Sequence, residues 1–437
     1  MTYNFAYGFW RWILGTYILV ANHFKSCNAM IQKAYRIVFV LIFATNTLYG
    51  QSDYKILENT TYATIDDSKF DDRVGLRIES LENGIVTLSE TFHGKGIIAK
   101  HDSLGKIIWE KSFDRERIND IKVFNGYIYA VGYKYLNRKA WISKIDTNGN
   151  VIWEKLLRFQ YENEAKNLTI SESGDIFVLC EIQKAWFPVK IRLKKSMYRH
   201  ITFRSLKKDI IENEIGIAKL DTNGNLKWKK KFGKQENYNH YFSCAISVNT
   251  SEVLTSFYFS ETNKKQTKEG TRLVKLNYNG KKLNELNHSN RLFEIIIPNE
   301  SDFYTIENNL NNQLNIKDTI KISRLTNDSL EIYKQYISDY NIYTITALIK
   351  NEADELYVGG YVCNYETLGT IWSNHHDIYI AKYDSDFNLI WDYRYDQGSV
   401  DEVNDMKMIN GKLYAIGESW YKENNQIKKR MRIIIIK

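Results

Sequence analysis

Proline and cysteine are both scarce in this chain of 437 residues. Only two prolines occur, whereas aromatic residues make up 14% of the chain, a balance that suits β-strands joined by polar turns. The four cysteines, Cys27, Cys180, Cys244 and Cys363, show no paired spacing of the kind that binds metal. Because Cys27 falls in the N-terminal leader, we expect one disulfide at most. Either Cys180 bridges Cys244, or these thiols are small buried side chains.

The chain also lacks a strong charge imbalance and a recognisable catalytic motif. Its 60 Lys and Arg residues against 52 Asp and Glu residues give a net charge of +8, which is mild for this length and does not imply nucleic acid. A Ser-His-Asp order, a Gly-rich phosphate loop and a paired-carboxylate signature are missing. We therefore predict no catalytic residues, no metal and no cofactor, and we expect a monomer with no nucleic-acid partner.

The apolar runs near the N-terminus are short. Residues 37–48 are mostly apolar, but a membrane span needs roughly 20 residues. Residues 30–50 start basic, continue apolar and end at small Gly50, which is the layout of a signal peptide. We predict cleavage near Gly50 and export to the periplasm, cell surface or medium, with residues 1–29 an upstream extension or a spurious start. The alternative is an uncleaved membrane anchor, helped by the apolar run at 9–21.

What the chain does contain is a repeat, Lys-x-Asp-x-x-Gly-x-x-x-Trp. A repeat of this size sets the architecture and has to be considered first. Complete copies end at Trp109, Trp153 and Trp228, and the copy ending at Trp391 has Phe387 at the glycine position. Two degenerate copies keep only the spacing. If the last residue of the chain is counted, the basic position at the start of the repeat occurs seven times: Lys100, Lys144, Lys219, Lys275, Arg324, Lys382 and Lys437.

One copy predicts a β-hairpin. Around Trp141, Ser143 and Ile145 the residues alternate as in a strand. The stretch from Asp146 to Gly149 is a turn, and a second strand carrying the Trp follows. We expect each Trp to pack on the face of its sheet, to fill the gap to a neighbouring sheet and to be largely buried.

A second pattern, typified by Asn125-Gly-Tyr-Ile-Tyr-Ala-Val-Gly132, alternates with the first and also occurs seven times. Each unit therefore reads as four antiparallel strands. We predict an all-β fold for residues 51–437, a single seven-bladed β-propeller of four-stranded antiparallel blades. Because the chain ends where a third strand ends, residues 54–62 are expected to supply the missing fourth strand, so that both termini close the ring. An open solenoid is the alternative, although no capping units are evident.

The Asp-x-x-Gly-x-x-x-Trp hairpins resemble two known repeats. One is the tryptophan-docking motif of quinoprotein-like propellers, and the other is the Asp-box of sialidase-type propellers; the spacing differs from each by one residue. From residue 70 onwards, the chain resembles secreted bacterial β-propeller repeat proteins of the quinoprotein-like (PQQ-like or WD40-like) class. The resemblance implies the fold and brings no catalytic residues with it.

The segments that interrupt the repeat are the candidate binding regions, since variable loops on a rigid scaffold often bind ligands. The largest is a basic insert at 181–214, and smaller ones lie at 260–270, 307–319, 362–376 and 418–429. Basic and aromatic side chains interleave there and could contact an anionic polymer or a protein partner. The candidate binding residues are Lys184, Trp186, Lys190, Arg192, Lys194, Lys195, Arg199, Trp372 and Trp420. The alternative is a solvated loop.

Two further patterns have ordinary explanations. Asp146-x-Asn148-x-Asn150 and its equivalents echo a calcium loop, but a strand follows at once, so a hairpin turn is expected. His375-His376 is expected to be a solvated pair in a polar loop.

The leading hypothesis is an exported, non-enzymatic scaffold that binds a protein or anionic polymer through the face on which these inserts lie. The alternative is an enzyme acting on polysaccharide or using a quinone, with its site at the mouth of the channel. Carboxylates converging with a His at the channel mouth would favour an enzyme, whereas a flat rim of aromatic and basic loops would favour a binder.

Overall fold

The structure is a computed structural model, and it describes residues 62–436 with gaps. The gaps are 66–71, 83, 92–93, 114–115, 137, 186–210, 234–239, 264–265, 290, 300–301, 310–318, 327–328, 338–341, 364–375, 397–399 and 424–425. The described residues form strands and turns without a helix. The predicted signal peptide and the extension before it lie outside the described residues and stay predictions. The described part of the chain contains no helix with the length and hydropathy of a membrane span.

The described part of the chain contains twenty-eight strands, beginning with β1 (Tyr62–Ile65). Sheets 1, 2 and 3 each have four antiparallel strands in chain order: β2 (Arg73–Leu81), β3 (Gly84–Thr91), β4 (Gly96–His101), β5 (Ile107–Phe113); β6 (Glu116–Phe124), β7 (Tyr127–Lys134), β8 (Lys139–Ile145), β9 (Val151–Leu157); β10 (Glu162–Ile170), β11 (Ile176–Ala185), β12 (Ile211–Leu220), β13 (Leu226–Phe232). Sheets 4 and 5 repeat this order: β14 (His240–Val248), β15 (Glu252–Asn263), β16 (Gln266–Asn277), β17 (Lys282–Ser289); β18 (Arg291–Pro298), β19 (Phe303–Asn309), β20 (Thr319–Leu325), β21 (Leu330–Ile337).

Sheet 6 has eight strands and contains the end of the chain. It comprises β22 (Ile342–Lys350), β23 (Leu356–Cys363), β24 (His376–Tyr383), β25 (Leu389–Tyr395), β26 (Val400–Ile409), β27 (Lys412–Glu423), β28 (Gln426–Ile436) and β1. A single parallel bridge between His376 and Val400 joins β24 to β26, and β1 pairs antiparallel with β28, Tyr62 opposite Ile436. The predicted all-β fold of four-stranded antiparallel sheets is therefore present, and no described sheet closes on itself.

The sheets bury their middle strands on both faces. In β8 four consecutive residues are buried, whereas β13 has only exposed and half-buried residues. Central strands covered on two sides become nearly continuously apolar, and outer strands keep polar residues. The core clusters accordingly lie between consecutive sheets: Val131 and Ile142 of sheet 2, for example, pack with Val178 of sheet 3. A further cluster places Ile78 of β2 with Ile433 of β28.

The repeated Trp side chains join each sheet to the next. The Trp109 indole N–H donates to the carbonyl of Thr147 at 2.8 Å, and its ring covers Gly149 of the same turn. Trp228 repeats this geometry, with its N–H 2.9 Å from the carbonyl of Tyr278. The predicted filling of the gap between sheets is confirmed. The prediction that these rings are largely buried is confirmed, and each keeps a minor exposed part because the fourth strand that carries it has one face towards solvent.

The repeated Asp residues are used within their own turns. Asp146 Oδ1 accepts the backbone N–H groups of Asn148 and Asn150, at 2.9 and 2.7 Å, and the Asn150 side chain donates to Asp146 Oδ2. Gly149 has a φ of +81°, a conformation that glycine adopts without strain. These contacts support the hairpin-turn interpretation of the calcium-like spacing.

The repeated Lys side chains form ion pairs and hydrogen bonds with neighbouring turns, a role that the sequence pattern does not explain. Lys219 lies 2.7 Å from Asp175 in the preceding turn of its sheet and 3.2 Å from the Tyr278 carbonyl of the next sheet. Lys275 and Lys382 make equivalent ion pairs with glutamates at 3.1 and 2.9 Å. Lys219 therefore ties the turns of its own sheet to the turn of the next sheet.

Every first strand of a four-strand group contains a β-bulge, at the same place in β2, β6, β10, β14, β18, β22 and β26. At two of these bulges an Asn-Asp pair reaches the next first strand. Asn119 Nδ2 donates to the Ala165 carbonyl at 2.7 Å, and Asp120 Oδ2 accepts from Leu168 N–H at 2.9 Å. Asn404 and Asp405 reach Gly75 O and Ile78 N–H of β2 in the same way, at 2.9 and 3.0 Å.

An ion network connects β26, β2 and β6. Glu79 binds Lys122 at 2.6 Å and Lys407 at 2.9 Å, while Arg77 lies 3.0 Å from Asp120. Burial alone would raise the pKa of Glu79, but attraction to the two lysines outweighs it and holds this pKa below its ordinary value. All the charges of the network have partners, so its evident role is to fix the first strands relative to one another.

Two predicted inserts are extended hairpins. β15 and β16 pair from Glu252 opposite Asn277 to Asn263 opposite Gln266, so the stretch at 260–270 prolongs the sheet. β27 and β28 likewise pair as far as Glu423 opposite Gln426. The polar residues of these two stretches predict loops. Continued pairing between the strands, however, satisfies the hydrogen bonds of the backbone N–H and C=O groups better than an open loop does.

The Cys180 thiol is free and buried, so no disulfide joins it to Cys244. This favours the interpretation as separate small thiols over a bridge between them. Burial raises the pKa of the Cys180 thiol, which keeps it protonated and unreactive.

Candidate functional site

Most of the predicted binding residues lie outside the described residues: Trp186, Lys190, Arg192, Lys194, Lys195, Arg199 and Trp372. The backbone of Lys184 lies in β11, opposite Glu212 of β12, at the base of the basic insert. These assignments stay predictions. Trp420 is the one predicted site residue whose side chain can be placed.

Trp420 belongs to a charged cluster within β27 and β28. Its indole N–H donates to Glu418 Oε2 at 2.6 Å, and Lys429 Nζ lies 3.7 Å from the ring centroid. The half-buried ring is therefore engaged by a carboxylate and a cation of its own hairpin. This geometry differs from an exposed aromatic rim.

Next to Trp420, three strands bring together a histidine and two glutamates, here called the His376 cluster: His376, Glu402 and Glu418. His376 begins β24, and its Nδ1 lies 2.9 Å from Glu402 Oε1. Its ring stacks on Tyr361 with centroids 4.7 Å apart. Glu402 in β26 stands directly opposite Glu418 in β27.

The expectation of a solvated His375-His376 pair is wrong for His376, whose side chain is only 11% exposed. β24 starts one residue earlier than the polar loop suggested, and His376 pairs there with Cys363 of β23. Strand pairing and the stacked Tyr361 ring cover the imidazole. His375 lies outside the described residues.

The two glutamates differ in their electrostatic environment. Burial raises the pKa of the Glu418 carboxyl, and the nearby Glu402 charge raises it further. The Trp420 N–H and Lys429, 3.9 Å away, act in the opposite direction without cancelling the effect. Like charges opposite each other on neighbouring strands repel, so Glu418 keeps its proton to a higher pH than an ordinary glutamate.

This arrangement can transfer protons. A carboxyl with a raised pKa can act as a general acid, and a histidine oriented by a carboxylate can act as a general base. Within the ranges given above, no group of three or more His, Cys, Asp and Glu side chains is arranged to hold a metal ion. The chemistry that these residues offer by themselves is therefore acid–base chemistry.

Sequence reasoning missed Glu402 and Glu418, since neither belongs to the repeat. The sequence contains part of the information needed to find them, because the Asn410-Gly411 turn fixes which residues of β26 and β27 face each other near that turn. Counting outward from that turn would place Glu402 opposite Ser419. The bulge between Val403 and Asp405 shifts the pairing by one residue and brings Glu402 opposite Glu418.

No family model matches the sequence, and a search of the curated proteins finds no match. Similar solved structures include the β-propeller domain of the Trilobed protease from Pyrococcus furiosus, with 7% identity, a TM-score of 0.46 and coverage of 79% of this chain and 92% of that one. Acylaminoacyl peptidase from Pyrococcus horikoshii has 9% identity and a TM-score of 0.44; the match covers 80% of this chain but only 50% of the peptidase. Hydrazine synthase from Kuenenia stuttgartiensis has 12% identity, a TM-score of 0.46 and coverage of 81% and 94%.

These neighbours include β-propeller domains, and the likeness concerns the fold. The hypothesis of a non-enzymatic scaffold is not supported by these comparisons: the similar structures include acylaminoacyl peptidases, and at 9% identity their likeness to this chain is one of fold alone. The His376 cluster meets one part of the criterion given above for an enzyme, the convergence of a histidine with carboxylates. Polysaccharide and quinone, the substrates named in the alternative hypothesis, receive no support.

Proposed function

We propose that the chain is a closed seven-bladed propeller that carries an acid–base site for hydrolysis. Seven groups of four strands can be counted when β26–β28 and β1 form the last blade. Each first strand contacts the first strands of its two neighbours, and β26 contacts β2. The Asn-Asp link from β26 to β2 repeats the link from β6 to β10, which supports a ring in which the last blade meets the first.

Closure of this ring predicts a strong effect of proline in β1. In an antiparallel edge strand alternate residues donate to the partner, so one of Ala63 and Thr64 bonds β28 and the other points away. We expect Ala63→Pro and Thr64→Pro to differ. Proline at the hydrogen-bonded position should lower the stability of the protein by an amount on the order of 1 kcal/mol per broken hydrogen bond and should expose the edge of β28, whereas proline at the other position should have a smaller effect. Thermal unfolding with light scattering measures both. If both variants melt and scatter like the parent, β1 does not close the ring.

The hydrolytic assignment depends on one observation: His376 Nδ1 lies 2.9 Å from Glu402, and Glu402 stands opposite the buried Glu418. A carboxylate accepts a hydrogen bond, so Nδ1 carries the proton and Nε2 is the basic nitrogen. Glu402 therefore orients His376 as the general base, and a local opening must bring water to Nε2, which is buried in this structure. Glu418, whose pKa is raised by burial, is the group that donates a proton to the leaving group.

The substrate class follows from this division of roles. Bonds with a poor leaving group gain most from a general acid, and amides and esters are the common examples in which water attacks while a nitrogen or oxygen leaves. We therefore propose amide or ester substrates that reach the ends of β24, β26 and β27.

The test is hydrolysis of fluorogenic peptides and aryl esters by the full chain across pH. Activity should show two limbs, with the alkaline limb set by the raised pKa of Glu418. His376→Asn should abolish turnover, whereas His375→Asn serves as the matched control and should keep it. Hydrolysis that survives His376→Asn, or no hydrolysis of either class by a folded parent, contradicts the proposal.

A further inference from the structure

Six Asn-Gly pairs occur in the chain, and the five pairs that the structure describes fall into two classes by their environment. Asn83 lies outside the described residues, which leaves pairs beginning at Asn125, Asn148, Asn223, Asn279 and Asn410. The Asn-Gly sequence is the most reactive context for spontaneous loss of the side-chain amide, since glycine offers no side chain to hinder attack by its backbone nitrogen. Structure then decides which pairs react.

Asn148, Asn223 and Asn279 belong to the hairpin turns of the repeat, where the following glycine is held. Gly149 N–H donates to the Asp146 carbonyl at 3.1 Å, and the other two glycines make the same bond at 2.9 Å. Each glycine is also buried under an indole: a Cβ on Gly149 would lie 3.2 Å from the Trp109 ring. The nitrogen that must attack is thus both hydrogen-bonded and immobilised.

Asn125 and Asn410 occupy a different turn. Each is the first residue of a two-residue hairpin loop, with a φ of 49° and 50°, and each glycine has positive φ as well. Both Asn and both Gly residues are exposed, and nothing lies within 4 Å of a Cβ built on Gly126 or Gly411. Among the described residues, neither glycine N–H donates to a backbone carbonyl outside the strand ladders.

We propose that Asn125 and Asn410 are deamidation sites, and that the Trp-covered turns protect the other three pairs. The Gly126 nitrogen attacks the Asn125 side-chain carbonyl carbon, a new C–N bond forms, and the amide nitrogen leaves as ammonia with the proton lost by Gly126. A five-membered imide results. Water then opens it at either carbonyl and gives aspartate or isoaspartate, with no oxidation or reduction.

The two products affect the hairpins differently. Aspartate keeps the main chain and adds a charge, and it tolerates positive φ nearly as well as asparagine. Isoaspartate inserts a methylene into the main chain of a two-residue loop whose geometry sets the strand register. At position 410 this loop holds the hairpin of β26 and β27.

The experiment is peptide mapping by mass spectrometry of the full chain, held folded at mildly alkaline pH and sampled over time. Asn125 and Asn410 should convert at least about tenfold faster than Asn148, Asn223 and Asn279, because a hydrogen bond and an indole contact must open before the protected nitrogens can attack. In denaturant all five rates should converge. Equal rates in the folded protein, or conversion at Asn125 and Asn410 only after unfolding, would overturn the proposal.

The variant Trp109→Ala separates local protection from global stability. Removing the Trp109 indole uncovers Gly149, so deamidation of Asn148 should become faster. Asn223 and Asn279 should keep their rates, because Trp153 and Trp228 still cover the glycines that follow them. An unchanged rate at Asn148 would contradict protection by the indole. Acceleration at all three positions would show that protection comes from global stability and would contradict the local mechanism.

Discussion

Glu418→Gln should lower hydrolytic activity by about two to four orders of magnitude, the usual contribution of a general acid or base. Glutamine keeps the shape of the side chain and its hydrogen bond with Trp420 but has no carboxyl proton to give. The same substitution should leave the folded state intact, since burial and the nearby Glu402 disfavour the charged form of Glu418, which glutamine cannot adopt. Loss of activity with unchanged or higher stability separates a catalytic group from a structural one.

The sign of the stability effect follows from the raised pKa. The unfolded carboxyl titrates near its ordinary value of 4.5, whereas the folded one holds its proton to higher pH. Stability contributed by protonated Glu418 is therefore complete below the unfolded pKa and is lost as pH rises through the folded pKa. Glutamine cannot ionise, so the free energy of unfolding of Glu418→Gln should decline less over this window.

Activity assays and chemical unfolding at several pH values check both parts. Glu154→Gln is a suitable control, because Glu154 is a partly exposed glutamate on β9, far along the chain from the cluster. Trp420→Phe adds a graded test: removing the N–H donor should raise the Glu418 pKa further and move the alkaline limb of activity upward. Full activity in Glu418→Gln would exclude Glu418 as the acid.

The hairpins could be predicted because their determinants are local. Asp146 and Gly149 define a turn by hydrogen bonds within five residues, and the same residues recur in each copy. The packing of Trp109 against the next turn was also accessible, since a large ring at a fixed place after each turn needs a neighbour of fixed geometry. Repetition turned these short-range rules into a description of the sheets.

The candidate site could not be predicted, because it depends on register and on contacts between distant strands. One bulge residue, Asn404, decides whether Glu402 faces Glu418 or Ser419. Bulges respond to twist and to inter-strand bonds such as that of Asn404 with Gly75, far away in sequence. The contact between His376 and Glu402 adds a third strand that no periodicity connects to the other two.

Trp153→Ala should destabilise the protein by about 3 kcal/mol, the lower end of the range for replacing a large aromatic core side chain. The ring packs edge-on against Tyr129 with centroids 6.2 Å apart, and it covers Gly224 of the next sheet, where an added Cβ would lie 3.1 Å from it. Its N–H donates to the Thr222 carbonyl at 3.3 Å. Alanine removes all three contacts and leaves a gap between sheets 2 and 3, but the partly exposed position limits the loss.

Denaturant unfolding measures this change, and the neighbouring Ile152 is the matched control. Ile152 precedes Trp153 on the same strand and is 50% exposed, so Ile152→Ala should shift stability by no more than about 0.5 kcal/mol. Trp153→Phe should fall between the two, because phenylalanine retains most of the packing and loses the hydrogen bond. Equal stability of Trp153→Ala and Ile152→Ala would mean that the indole does not join the sheets, and the repeated Trp would then need another explanation, such as ligand contact at the turn face.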